Sequence, residues 1–164
     1  MPSEIKITYY SAKYQKEISD LIISIQRSEF GIAITMEDQP DLKEISSFYQ
    51  IRNGNFWIAI VDGAVMGTIA LLDIGNGRGA LRKMFVHKNY RGKEFGVGQK
   101  LLDTLMVWAR EKDYEEIFLG TTEKFIAAQR FYEKNGFREV QKEILPSEFP
   151  RMAVDNKFYK YLIL

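Results

Sequence analysis

Apolar positions change period several times along the chain, and each change marks an element. Ile5, Ile7 and Tyr9 alternate with Lys6, Thr8 and Tyr10, the two-residue period of a half-buried strand. From Ser11 the spacing turns helical, and Ile18, Leu21, Ile22 and Ile25 predict a helix over about residues 11–28. Gly31 interrupts the next stretch. Asp38-Gln39-Pro40-Asp41-Leu42 has the acid and proline of a helix start. Leu42, Ile45, Phe48 and Tyr49 give that helix an apolar stripe, and Asn53-Gly54 ends it.

A run of strands follows. Phe56–Val61 and Val65–Leu72 flank Asp62-Gly63, the dipeptide that best matches a two-residue hairpin turn. Gly75-Asn76-Gly77 turns again into a strand over Ala80–Val86. These three are sequential and antiparallel. A helix follows Gly98, with Leu101, Leu102, Leu105, Met106 and Ala109 on its buried face. Glu116–Gly120 reads as a short buried strand and Phe125–Lys134 as a helix capped by Asn135-Gly136, where glycine accepts the left-handed conformation. Phe137–Val140 and Ala153–Leu162 complete the set. The order β-α-α-β-β-β-α-β-α-β-β predicts an α/β fold on a mixed sheet.

Composition narrows the chemistry. With 164 residues, 46% hydrophobic and 27% charged, the expectation is one domain over residues 1–164. No apolar run reaches membrane-spanning length, and Met1-Pro2-Ser3-Glu4-Ile5-Lys6 lacks a leader pattern. A cytoplasmic protein without a membrane partner is expected. The chain has no cysteine, which removes disulfides, cysteine metal sites and thiol nucleophiles. The single histidine, His87, argues against a His-rich metal site and a Ser-His-Asp triad, so no metal is expected. At a strand end it reads as an exposed loop residue.

Net charge is +1, which gives no case for nucleic acid. Its distribution is uneven. Between Ile74 and Lys93 there is no acid, but Arg78, Arg82, Lys83, Lys88, Arg91 and Lys93 are basic. A local anion site and a solvated basic edge strand both fit that segment.

Within it a strand runs into Arg91-Gly92-Lys93-Glu94-Phe95-Gly96-Val97-Gly98-Gln99 and then a helix. Glycines let backbone approach a ligand, and the first helical N–H groups have no internal partner. Together with Arg91 and Lys93 this turn fits a phosphate or pyrophosphate. It is not a P-loop, because Gln99-Lys100 stand where Lys-Ser/Thr is required. A dinucleotide turn fits poorly as well, because three antiparallel strands precede it.

This loop, Leu101-Leu102, and the string Ala128-Gln129-Arg130-Phe131-Tyr132-Glu133-Lys134-Asn135-Gly136-Phe137 resemble the GNAT family of N-acetyltransferases. The resemblance covers Phe56 to Val140 best. It implies an acetyl-CoA-binding fold with a mixed, mostly antiparallel sheet, flanking helices, and fourth and fifth strands that splay apart, here Ala80–Val86 and Glu116–Thr121. Backbone groups of Phe85 and Val86 are then expected to hold the pantetheine arm as an added strand would be held. The diphosphate is expected to rest on the turn containing Arg91, Gly92, Lys93, Gly96, Val97, Gly98 and Gln99. Two features depart from the family pattern. Glu94-Phe95 sit inside the loop, so Lys93 rather than Arg91 stands three residues before Gly96. Phe125 stands where the family often has asparagine; it is expected to pack in the core or on the arm, the core being favoured.

The implied reaction is direct attack of a primary amine on the thioester, with a small molecule or peptide as acceptor. Tyr132 matches the family's tyrosine that protonates the departing sulfur. Asp73, Glu37 and Glu29 are base candidates by position. Phe30 is expected to wall the acceptor side. The closing segment Val154–Tyr159 is expected to form the opposite wall or the edge of a homodimer. A non-catalytic acyl-CoA sensor is the alternative, and a nucleotide binder the third reading.

Overall fold

The computed structural model describes residues 4–163. Residues 1–3, part of the stretch read for a leader, lie outside it, as does residue 164. The elements are β1 (Ile5–Tyr9), α1 (Gln15–Ile23), α2 (Ile45–Tyr49), β2 (Asn55–Val61), β3 (Ala64–Gly75), β4 (Arg78–Val86), α3 (Val97–Glu111), β5 (Glu116–Thr121), α4 (Ile126–Lys134), β6 (Arg138–Val140) and β7 (Lys157–Leu162). They build a seven-stranded sheet in the order β1-β2-β3-β4-β5-β7-β6. Every neighbouring pair is antiparallel except β4 and β5, which are parallel. The mixed α/β class and the three sequential antiparallel strands match the sequence reading.

Helices cover both faces. α3 lays Val97, Leu101 and Leu105 against Trp57, Ile69 and Leu71 on one face. α1 and α2 bury Ile18, Ile22, Ile45 and Tyr49 against Phe56, Ile58 and Ala70 on the other. The strands therefore bury both faces, and β2 is buried at every position except Ile60. Gly67 lets α3 sit close: a Cβ there would lie 2.9 Å from Leu101 Cδ1 and 3.1 Å from Val97 Cγ1.

Several boundaries differ from expectation. The first helix has regular α geometry only over Gln15–Ile23. It opens with a 3-10 turn at Ala12–Tyr14 and closes in a π-helical turn over Ser24–Glu29. The second expected helix is broken at Glu44 (φ −134°) into a 3-10 turn, Pro40–Lys43, and the short α2. α3 begins at Val97, so Gly98 lies in its first turn rather than before it. Ala153–Asn156 forms a turn, not strand, which leaves β7 six residues long. β7 lies between β5 and β6, and β6 covers its residues Phe158–Lys160, so the middle of this expected edge strand is paired on both sides.

β4 and β5 pair only from Arg78–Glu116 to Ala80–Phe118. Beyond that they diverge, leaving the outer half of β4 without a β5 partner. β4 also carries an extra residue against β3: Thr68 faces Phe85, but Ala70 faces Arg82. The bulge lies at Lys83, whose φ is +54°. Thr68 Oγ1 fastens it by donating to Lys83 O at 2.6 Å.

Candidate active site

The splay opens a cavity of about 870 Å³ lined by β4, the loop before α3, β5, α4, the segment after α1 and the loop before β7. Its size suits a small-molecule site. Phe85, Val86, Arg91, Gly92, Lys93, Gly96, Gly98, Gln99 and Tyr132 all line it. Val97 does not. Its side chain is 1% exposed in the core beneath α3, and only its backbone belongs to the turn.

The loop reaches its shape through two left-handed glycines, Gly92 (φ +103°) and Gly96 (φ +66°). Gly96 N–H donates back to Gly92 O at 3.1 Å, and Lys100 N–H donates to Gly96 O at 3.0 Å. The N–H groups of Val97, Gly98 and Gln99 open the helix and have no carbonyl a turn earlier within it. They stand at the partially positive end of a fifteen-residue helix.

His87 N–H donates across to Met66 O at 2.8 Å. By the alternation of an extended strand, the peptide groups of Val86 then point away from β3, into the splay. Val86 O accepts Arg91 Nε at 2.8 Å. The Arg91 guanidinium forms a two-pronged ion pair with Glu29, one contact being 2.8 Å, and lies over the Phe30 ring. The hydrogen bonds from Arg91 hold the Glu29 carboxyl below its usual range. Arg91 thus straps the loop to the end of α1. Phe85 turns its ring to the cavity beside Phe125. Phe125, half-buried, meets Phe30 with ring centroids 4.7 Å apart; it belongs to the cavity wall rather than to the core. Phe30 lines the same wall. His87 caps a short turn through Nδ1, which accepts Asn89 N–H at 3.1 Å.

Tyr132 is placed by the turn that ends α4. Gly136 (φ +92°) allows Gly136 N–H to reach Glu133 O at 3.2 Å and Phe137 N–H to reach Tyr132 O at 3.0 Å. This pair of bonds is a Schellman closure, and it packs the Phe137 ring 5.7 Å from the Tyr132 ring. The spacing Tyr-x-x-x-Gly-Phe is therefore mechanical: the glycine shapes the turn and the phenylalanine braces the tyrosine. Burial pushes the Tyr132 phenol well above its ordinary pKa, and the charge of Asp155 adds to the shift. It stays protonated at neutral pH. Its hydroxyl has no hydrogen-bond partner among the described residues.

The basic segment does not form one patch. Arg78 pairs with Glu116, Lys83 with Asp41 and Arg91 with Glu29, so acids from distant segments offset half of its charge. Lys83, only 6% exposed, donates to Gln39 Oε1 at 2.6 Å and stands 3.5 Å from Asp41 Oδ2. Burial lowers its pKa to about 8, and Asp41 opposes that shift. Tyr49 OH donates to the same carboxylate at 2.5 Å.

None of the three base candidates lines the cavity. Asp73 accepts Asn53 and Gly75 N–H groups at a hairpin end, Glu37 is exposed, and Glu29 is committed to Arg91. Two carboxylates do line it: Asp103, on α3, which accepts Gln99 Nε2 at 2.8 Å, and Asp155, in the loop before β7. Burial raises the Asp155 pKa, while a backbone hydrogen bond from Met152 and the charges of Arg82 and Lys83 oppose the rise. Sequence reasoning missed Asp155 because it sits in a stretch read as strand. The Asp155-Asn156 pair was the available signal for a turn there.

Comparison with known proteins agrees with this geometry. A family model described as the acetyltransferase (GNAT) family matches residues 20–137. A solved GNAT-family acetyltransferase from Staphylococcus aureus is 44% identical, with a TM-score of 0.94 over 97% of this chain and 99% of that one. A solved acetyltransferase from Streptococcus agalactiae is 33% identical, with a TM-score of 0.91 over 99% of both chains. The N-acetylaspartate synthetase of Xenopus tropicalis is 33% identical over 134 residues, which is 75% of this chain and 48% of that protein. The chain spans about half, or less, of the length of the curated relatives it matches. Among the described residues no helix is long and apolar enough to cross a membrane.

Proposed function

The chain belongs to the GNAT acetyltransferase family, and from that premise we propose that its 164 residues act as one unit that moves an acetyl group from acetyl-CoA to a primary amine. The observation that carries this reading is the placement of Tyr132. A buried, protonated phenol without a hydrogen-bond partner among the described residues faces the cavity that the splayed strands open. Such a group donates a proton where negative charge develops on a departing thiolate.

The rest of the cavity supports the same reading. Peptide groups of Val86 that face the splay suit the amides of a pantetheine arm. Free N–H groups at the start of α3, with Gly92, Lys93 and Gly96 beside them, suit a diphosphate. Phe85 and Phe125 give the arm an apolar wall in place of an asparagine contact. For Arg91 to meet phosphate, it must first let go of Glu29. No cysteine in the chain can carry an acyl-thiol intermediate, which favours direct attack of the amine on the thioester. A cytoplasmic setting belongs to the proposal, in keeping with a chain that has no cysteine for disulfides.

Isothermal titration with CoA and a thiol-release assay across a panel of amines test the proposal. Saturable CoA binding with amine-dependent thiol release is expected. Binding without transfer to any amine class would replace this reading with a sensor, and absence of CoA binding would end it.

A further inference from the structure

The cavity has a second end, away from the turn that suits diphosphate, and two charges stand there unmatched. Arg82 and Lys83 are sequence neighbours that a regular strand would point to opposite faces. The bulge at Lys83 puts both on the α1–α2 face, where Lys83 meets Gln39 and Arg82 lies over the Phe48 and Tyr49 rings at 5.7 and 5.9 Å. Lys83 has Asp41 as its counter-ion. Arg82 lines the cavity and has no ion-pair partner among the described residues.

Asp155 is its opposite. Its carboxylate hangs over β5, so that a Cβ on Gly120 would lie 2.6 Å from Asp155 Oδ2. It receives one long hydrogen bond, 3.4 Å from Met152 N–H, and has no ion-pair partner among the described residues. It is close enough to Arg82, and to Tyr132, for each to feel its charge, and it touches neither. A cation and a carboxylate that face one cavity without pairing are a costly arrangement unless a ligand completes both.

We propose that this end of the cavity takes a small zwitterion, a free amino acid or close analogue, with its carboxylate on Arg82 and its ammonium on Asp155. The inference rests on the acetyl-transfer reading above and gives it an acceptor class. It also makes Asp155 the base. Asp155 takes one proton from the ammonium and passes it to water. The amine lone pair forms the C–N bond, and the C–S bond breaks with its electrons on sulfur. The second amine proton leaves to water, while Tyr132 protonates the thiolate and regains its own proton from water. Ammonium and acetyl-CoA thus become amide, CoA and one released proton.

The test compares each free amino acid with its carboxamide in the thiol-release assay, alongside CoA titration of the same preparation. Wild type should favour the free acid by at least about tenfold in kcat/KM, as expected for a charge-assisted contact. Arg82→Gln should bring that ratio to about one, and Arg82→Lys should keep part of it. The ratio is internal to each preparation, so a loss of folded protein cancels. Asp155→Asn keeps an oxygen for Met152 N–H and should lower kcat about 100-fold. Equal use of acids and amides by wild type, an unchanged ratio in Arg82→Gln, or wild-type kcat in Asp155→Asn overturns the inference. If CoA binds in those cases, the acetyl-transfer reading survives; if CoA fails to bind, both fall.

Discussion

The two ends of the cavity are built by different means. At the turn before α3, the structure offers backbone: left-handed glycines, the N–H groups that open α3 with no carbonyl a turn earlier in the helix, and the peptide groups of Val86, whose carbonyl Arg91 Nε holds. At the other end it offers side chains brought from far apart in the chain, namely Arg82 and Lys83 on the β4 bulge and Asp155 before β7, with Gln39 and Asp41 holding Lys83 from outside the lining. A backbone site needs only a local turn, so a short motif encodes it. A side-chain site needs charges desolvated together, and no local string specifies it. The difference predicts that variants at the first end change ligand binding and leave stability intact, whereas variants at the second change stability as well.

The largest effect is expected at the charged end. Lys83→Met leaves Asp41 buried with Tyr49 as its remaining polar contact, which should cost about 3–5 kcal/mol in urea unfolding at pH 7. The pH dependence has a definite sign. The folded Lys83 pKa is about 8, against 10.5 as its ordinary value. Between those limits the unfolded chain holds more protons than the folded one, so this residue's contribution to stability rises with pH. Wild type should therefore gain stability relative to Lys83→Met between pH 8 and 10. A flat difference would mean that Lys83 is not held neutral by burial in that range.

Next in size is the shared centre of the cavity. Tyr132→Phe should lower turnover about 100-fold, with CoA affinity nearly unchanged, because the phenol faces the reacting end and its ring still packs on Phe137. Single-turnover kinetics separates chemistry from product release, and a wild-type chemical rate would remove Tyr132 from the mechanism.

Smaller effects are expected at the backbone end. A Cβ on Gly98 would meet Met84, Val86 and Phe131 at 3.6–3.9 Å, ordinary contact, so Gly98→Ala should melt no lower than wild type. The added methyl stands where backbone and ligand must approach, and CoA affinity should drop about tenfold by calorimetry. A loss of stability instead would erase the contrast between the two ends. The smallest change is expected from Glu29→Gln. It releases Arg91 from a partly exposed ion pair, worth at most about 1 kcal/mol, and CoA should bind up to about fivefold tighter. Weaker binding would show that Glu29 positions Arg91 for phosphate rather than competing with it.

Legibility followed the same division. The three-strand meander was readable because Asp62-Gly63 and Gly75-Asn76-Gly77 dictate their turns locally. Tyr132 and its brace were readable because the Schellman turn ties them within six residues. The second helix was not: its apolar spacing holds through Phe48 and Tyr49, but Glu44 takes a non-helical conformation and splits it. The sequence left open whether the basic segment is an anion site or a solvated edge, because its counter-ions Glu29, Asp41 and Glu116 lie elsewhere in the chain.

Periodicity, glycine placement and the Ala128–Phe137 string were enough by themselves to set the element order and to single out the glycine turn before α3 and Tyr132 as candidates, because each depends on neighbours a few residues away. The tertiary structure alone decided that β4 bulges at Lys83, that Arg82 and Lys83 share a face, that Arg91 is strapped to Glu29, and that Asp155 overhangs Gly120. These depend on strand register and on charges from separate segments being desolvated in one place, and register is a property of the sheet rather than of any one strand.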